Sequence, residues 1–130
     1  MSTLSSSRLN TTALAFIGDA VYELYARKRV IESGQTNADK LHQMAVKYVR
    51  AEGQARALKS MLDLLSEEER ELVKRARNKK SASKPKNADP IEYKLATAFE
   101  ALIGYLYIAG DTDRMENIMA LAITEIDRVK

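Results

Sequence analysis

Asp19 and Glu100 stand where carboxylates are hard to keep, each in the middle of an apolar stretch: residues 13–26 (ALAFIGDAVYELYA) and 95–109 (LATAFEALIGYLYIA). A carboxylate withdrawn from water by itself costs so much that it protonates or finds a partner. Neither stretch offers a Lys, Arg or His within one helical turn of its acid, so no local ion pair is available. Two carboxylates brought together would hold a divalent cation. An all-oxygen donor set with water completing the shell suits Mg²⁺ or Mn²⁺. Glu23, one turn beyond Asp19 on roughly the same side of a helix, is a further candidate ligand. The alternative is a pair of unrelated acids, each partly exposed or bonded to a distant Arg. The residues by themselves leave both open.

For the two acids to meet, their elements must touch. Both stretches read as helices that are apolar nearly all round, which places such a helix centrally in a core or against another chain. Each has an interior glycine, Gly18 and Gly104, at a cost of about 1 kcal/mol relative to Ala. Glycine permits close backbone approach, so the two helices are expected to cross there and turn Asp19 and Glu100 into one crevice. The first helix is expected over 12–32, capped by Thr11 or Thr12, with Leu14, Ile17, Val21 and Leu24 on one face and Gly34 beyond its end. Asn37 or Asp39 caps a second helix carrying Leu41, Met44, Ala45 and Val49, and Gly53 is expected to divide it from a segment with Leu58, Met61, Leu62 and Leu65. Ser66 and Glu69 form a capping-box pattern, and acids first, bases last from Glu67 to Arg77 suit the helix dipole. Pro90 opens the helix bearing Glu100, and Asp111 or Thr112 caps a last one with Met115, Ile118, Met119, Ala122 and Ile126. No strand-like alternation of useful length occurs. The expected fold is an all-α bundle of five to seven helices, one domain over 1–130 with a flexible N-terminus over about 1–8.

With no cysteine in 130 residues, disulfides and thiolate zinc sites are excluded. The N-terminus lacks the apolar run of a signal peptide, and the apolar stretches are too short and interrupted to span a bilayer. A cytoplasmic chain with no membrane partner and no organic cofactor is expected. The net charge of +3 hides a division: residues 74–86 (KRARNKKSASKPK) hold seven Lys or Arg and no acid, leaving the rest net negative. One basic segment on an acidic body implies a polyanionic partner met at one place. Residues 78–90, which lose apolar periodicity and hold both prolines, read as a loop. The sole histidine, His42, lies on an ordinary amphipathic segment and reads as a surface or packing residue.

FIGDAVYELYAR (16–27) and TAFEALIGYLYIAGD (97–111) resemble the two active-site helices of the ribonuclease III catalytic domain. The first is similar to that family's signature, in which Gly and Asp follow an aromatic or aliphatic pair. The second is similar to its later FEA-x-[IL]-G segment. LHQMAVKYVRAEGQA and RNKKSASKPKN resemble the family's small form, the Mini-ribonucleases III, which lack a double-stranded-RNA-binding domain. The resemblance runs over roughly residues 9–126. It implies a homodimeric endoribonuclease that cleaves double-stranded RNA with Mg²⁺, leaving 5′-phosphates, and a role in ribosomal RNA precursor maturation. By motif position Asp19 and Glu100 match the family's essential metal-binding acids. The larger enzymes carry further acids where this chain has Thr12, Ala15 and Thr97, which puts a second metal in doubt. Without a separate binding domain, Arg75, Arg77, Lys79, Lys80, Lys84 and Lys86 are expected to contact phosphates, with Asn78 and Asn87 facing ribose hydroxyls. The rival reading is a non-catalytic helical protein that binds double-stranded RNA or the ribosome; the missing acids favour it, the intact pair opposes it. A surplus of apolar surface on 13–26 is a candidate dimer face, or is buried within the monomer; the sequence leaves both open.

Overall fold

The computed structural model describes residues 9–79 and 87–129. Among them are six α-helices and a short 3₁₀ turn: α1 (Thr11–Ile31), α2 (Ala38–Val49), α3 (Ala51–Met61), the turn Leu62–Leu64, α4 (Glu67–Asn78), α5 (Pro90–Ala109) and α6 (Thr112–Arg128). The all-α expectation is met. Of the basic positions, Lys80, Lys84 and Lys86 lie outside the described residues, as does the N-terminal 1–8 segment.

α5 is the axis of the bundle, packing on α1, α3, α4 and α6. Its composition explains this position: Leu95, Ala96, Ala98, Phe99, Ala101, Leu102, Ile103, Gly104 and Leu106 are all buried, and over its central turns only Thr97 and Glu100 keep partial access to water. Asp89 caps it by accepting from the Ile91 and Glu92 amides, ahead of Pro90 in the first turn, where a missing N–H costs nothing. α1 differs. Leu14, Ala15, Gly18, Tyr22, Ala26 and Val30 form a buried stripe, but Phe16 is 82% and Leu24 71% exposed. Leu24 therefore does not share the buried face expected of it. The stripe follows the small residues and Tyr22, whose ring meets Phe99 edge-on at 5.0 Å and whose hydroxyl donates to the Tyr48 carbonyl at 3.0 Å.

Two boundaries differ from expectation. Asn10, not Thr11 or Thr12, caps α1, its side chain accepting from the Ala13 amide at 2.8 Å. The break between α2 and α3 falls at Arg50 (ψ 144°), not at Gly53. Gly53 stays helical because α3 needs it for contact: an added Cβ would lie 3.3 Å from Ile126 of α6 and 3.3 Å from the Lys47 carbonyl. The other caps stand as read. Asn37 and Asp111 accept from backbone amides, and Ser66 with Glu69 makes the full capping box.

Candidate active site

A close crossing of α1 and α5 creates the site. At Gly18 an added Cβ would overlap the Glu100 carbonyl and come 2.8 Å from the Gly104 amide nitrogen. At Gly104 one would overlap the Leu14 carbonyl. Backbone thus lies on backbone, and only glycine fits either position. Asp19 follows Gly18 and Glu100 lies one turn before Gly104, so the crossing brings the two carboxylates together from opposite helices. Asp19 is exposed and Glu100 half-buried, giving a site with an open and a closed side.

The electrostatics are those of an incomplete set. Burial first, then the neighbouring Asp19 carboxylate, push the Glu100 carboxyl up to about 9, while hydrogen bonding from Gln54 pulls it partly back. Neither acid forms an ion pair among the described residues. Two facing carboxylates, one of them desolvated and without a cationic side chain, fit a divalent cation: it would cancel the repulsion that now favours a proton.

The other expected residues divide. Glu23 takes Arg27 as its partner at 3.3 Å, and no three His, Cys, Asp or Glu side chains gather among the described residues. Thr12 accepts from the Lys79 ammonium at 2.7 Å, which seats the end of α4 on the first turn of α1. Thr12 and Asp19 lie two turns apart on one face, about 10 Å along the axis. Thr97 donates to the Tyr93 carbonyl of its own helix at 2.9 Å. Ala15 is buried against the core. Arg75 and Arg77 sit on the last turn of α4, as expected, and so does Asn78, which the sequence placed in the loop; all three are exposed, and Asn87 is exposed with φ 72°. His42 is exposed, as read.

Sequence reading missed Gln54. It is 2% exposed, among the most buried polar side chains described, and it approaches Glu100 from α3. Its one local signal is a polar residue among small and apolar ones in GQARAL.

Known proteins bear on this arrangement. The Ribonuclease III domain family matches residues 12–111, which include both acids and both glycines. A Mini-ribonuclease 3 of Thermoanaerobacter sp. is 47% identical over 119 residues, covering 92% of this chain and 84% of that relative. One from Streptococcus pneumoniae is 45% identical over 121 residues, covering 92% and 94%. A crystal structure of a Fusobacterium nucleatum protein superposes with a TM-score of 0.83 at 33% identity, covering 93% of this chain and 98% of that one. The ribonuclease III family is metal-dependent and acts on double-stranded RNA. With its match spanning most of the chain and both halves of the acid pair, this chain belongs to the ribonuclease III family and is an endoribonuclease.

Proposed function

We propose that the chain hydrolyses double-stranded RNA at the Asp19–Glu100 pair with Mg²⁺, for which Mn²⁺ is a plausible substitute. The observation that carries this is the convergence of two carboxylates, without a cationic partner among the described residues, at a crossing only glycine permits. Asp19 and Glu100 would hold the ion through hard oxygen ligands, and the ion supplies Lewis acidity at phosphorus and at the leaving oxygen. Hydrolysis by water leaves a 5′-phosphate and a 3′-hydroxyl. Gly18 and Gly104 hold the carboxylates at their separation, and the buried side at Glu100 limits water around it. Arg75 and Arg77 on the last turn of α4, and Lys79, anchored on α1 two turns from Asp19, would contact phosphates. Lys80, Lys84 and Lys86, which follow in the sequence, would add phosphate contacts, and Asn78 and Asn87 would contact ribose hydroxyls. Such contacts read the shape of duplex RNA rather than its bases.

A duplex has two strands, and one acid pair cuts one of them. A two-fold homodimer would present a second site. Support comes from Phe16 and Leu24, large and exposed on the same helix as Asp19. The substrate proposed, from the resemblance to the small form, is a ribosomal RNA precursor, met in the cytoplasm. No helix among the described residues is long and apolar enough to cross a membrane.

The test is cleavage of an end-labelled RNA duplex with and without Mg²⁺, comparing the chain with its Asp19→Asn variant. Cleavage is expected only with the ion and only in the unsubstituted chain, while both bind duplex. An unsubstituted chain that binds but never cuts, across Mg²⁺, Mn²⁺ and Co²⁺, would overturn the proposal. Replacing Lys79, Lys80, Lys84 and Lys86 together is expected to flatten the salt dependence of duplex affinity; an unchanged slope removes those lysines from the interface.

A further inference from the structure

Gln54 has no role in the chemistry described so far, yet it is 2% exposed and faces Glu100. A buried amide with four hydrogen-bonding positions is costly unless they are used. One is used visibly: Nε2 donates to the Val49 carbonyl at 3.3 Å. That carbonyl belongs to the last turn of α2, whose terminal carbonyls have no partner within their own helix. A carbonyl can only accept, so it requires the amide nitrogen on its side and fixes the plane of the Gln54 head group. The second N–H of the same nitrogen is then set in direction by the backbone. Glu100 lies within its hydrogen-bonding reach.

The mounting is rigid. α3 packs on both α5 and α6, and the neighbouring Gly53 lies so close to Ile126 and the Lys47 carbonyl that even one methyl group would crowd them. The Gln54 backbone N–H donates to the carbonyl of Arg50, the residue at the α2–α3 break, at 3.0 Å. The stem, head and helix of Gln54 are therefore each held by separate contacts. The other polar neighbour of Glu100 is Asp19, a carboxylate with nothing to donate when ionised.

We propose that Gln54 is a positioning residue for the acid pair: its side-chain amide bridges the Val49 carbonyl and the Glu100 carboxylate and orients Glu100 toward Asp19 for a divalent cation. This rests on the proposal that the pair holds the ion. The acids of the larger enzymes are absent at 12, 15 and 97, so Glu100 has few other means of orientation on this site. Thr97 is committed to the Tyr93 carbonyl and Thr12 to Lys79. Gln54 reaches the pair from a third helix, which neither motif contains.

The full-length chain and its Gln54→Met variant, similar in length but without the donor, are compared in two ways. Free of RNA, each is melted with and without Mg²⁺, and the ion-induced rise in Tm is expected to shrink in the variant. With duplex RNA, kcat is expected to fall about tenfold to a hundredfold, the Mg²⁺ concentration for half-maximal cleavage to rise, and KM to stay within about twofold. A residue that merely packs would lower Tm equally with and without the ion and leave the Mg²⁺ midpoint alone; that result overturns the proposal. Should the Met variant not fold, Gln54→Asn keeps a polar amide but is one methylene too short to bridge the Val49 carbonyl and Glu100. Its Mg²⁺-induced rise in Tm is expected to fall below that of the unsubstituted chain, and an equal rise overturns the proposal. Asp19→Asn run alongside separates the two proposals: if it still cleaves, the acid pair is not the metal site; if it does not, the Gln54 result stands on its own.

Discussion

Glu69 and Glu100 are both glutamates kept from water on helices of the same bundle, and their surroundings could hardly differ more. Glu69 is 5% exposed. It accepts from Arg114 at 2.8 and 3.0 Å and closes the capping box by accepting from the Ser66 amide at 2.9 Å. Arg114 also donates to the Leu64 carbonyl, so one guanidinium joins α4, α6 and the 3₁₀ turn. The Arg114 hydrogen bond first, with the Ser66 bonds behind it, outweighs burial and holds the Glu69 carboxyl below its usual range. Glu100 has Asp19 and one amide, and its carboxyl is pushed up instead. A buried acid whose oxygens are all addressed by donors belongs to the architecture. One left facing another acid is poised for something the chain itself does not supply.

Four experiments would break or sharpen that contrast. The largest effect is expected from Glu100→Gln. Losing a metal ligand forfeits several kcal/mol of charge stabilisation at phosphorus, so cleavage should drop by about a thousandfold or more, with duplex affinity retained. Comparable cleavage in a single-turnover assay would place the chemistry elsewhere.

Gly104→Ala comes next. Its Cβ overlaps the Leu14 carbonyl, so α1 and α5 must separate, at about 1–3 kcal/mol by the usual cost of overpacking. Both Tm and cleavage per folded molecule should fall. Gly34→Ala is the control: it has open space around it but a φ of 91°, so it should cost stability without touching cleavage. If Gly104→Ala cleaved normally, the crossing would not set the site.

Arg114→Met leaves Glu69 buried without its cation. Hydrogen bonds to charged groups put the loss at about 1.5–3 kcal/mol, toward the lower end because the Arg114 side chain is 29% exposed. Denaturant unfolding should show it while cleavage per folded molecule stays unchanged. A fall in kcat at full folding would show that the two regions are coupled after all.

The last effect is in pH. The folded Glu100 pKa, about 9, lies above its unfolded value, so the unfolded chain releases that proton first. Stability from this group is full below the unfolded pKa and declines as pH rises toward about 9. Glu69, shifted the other way, contributes stability that is present above its unfolded pKa and lost as pH falls through its folded one. Metal-free melting of Glu100→Gln should lack the decline between the ordinary carboxyl range and pH about 9, and Mg²⁺ should reduce it in the unsubstituted chain. Identical profiles over that window would mean that Glu100 is not the titrating group.

Much of this molecule is legible along the chain because much of it is local. Caps at Asn37, Ser66 and Asp111, the Pro90 start of α5, and the run of apolar residues that makes α5 central all depend on neighbours a few residues away. The acid pair was legible for a related reason: Gly18 beside Asp19, and Gly104 one turn from Glu100, mark close approach and chemistry in the same short strings. Where expectation missed, a longer-range contact had decided. Gly53 looks like a break but remains helical because α6 presses on it, and Leu24 looks like core but faces out because the tight α1–α5 crossing selects the small-residue stripe. Nothing in GQARAL says that Gln54 reaches Glu100, since the two are brought together only when α3 folds onto α5. By itself the sequence determined the helices, their caps and which two acids lack local partners, since those follow from spacing and side-chain chemistry. The tertiary structure alone decided how near those acids come and what stands between them and the core, because such distances depend on helices packing across the whole chain.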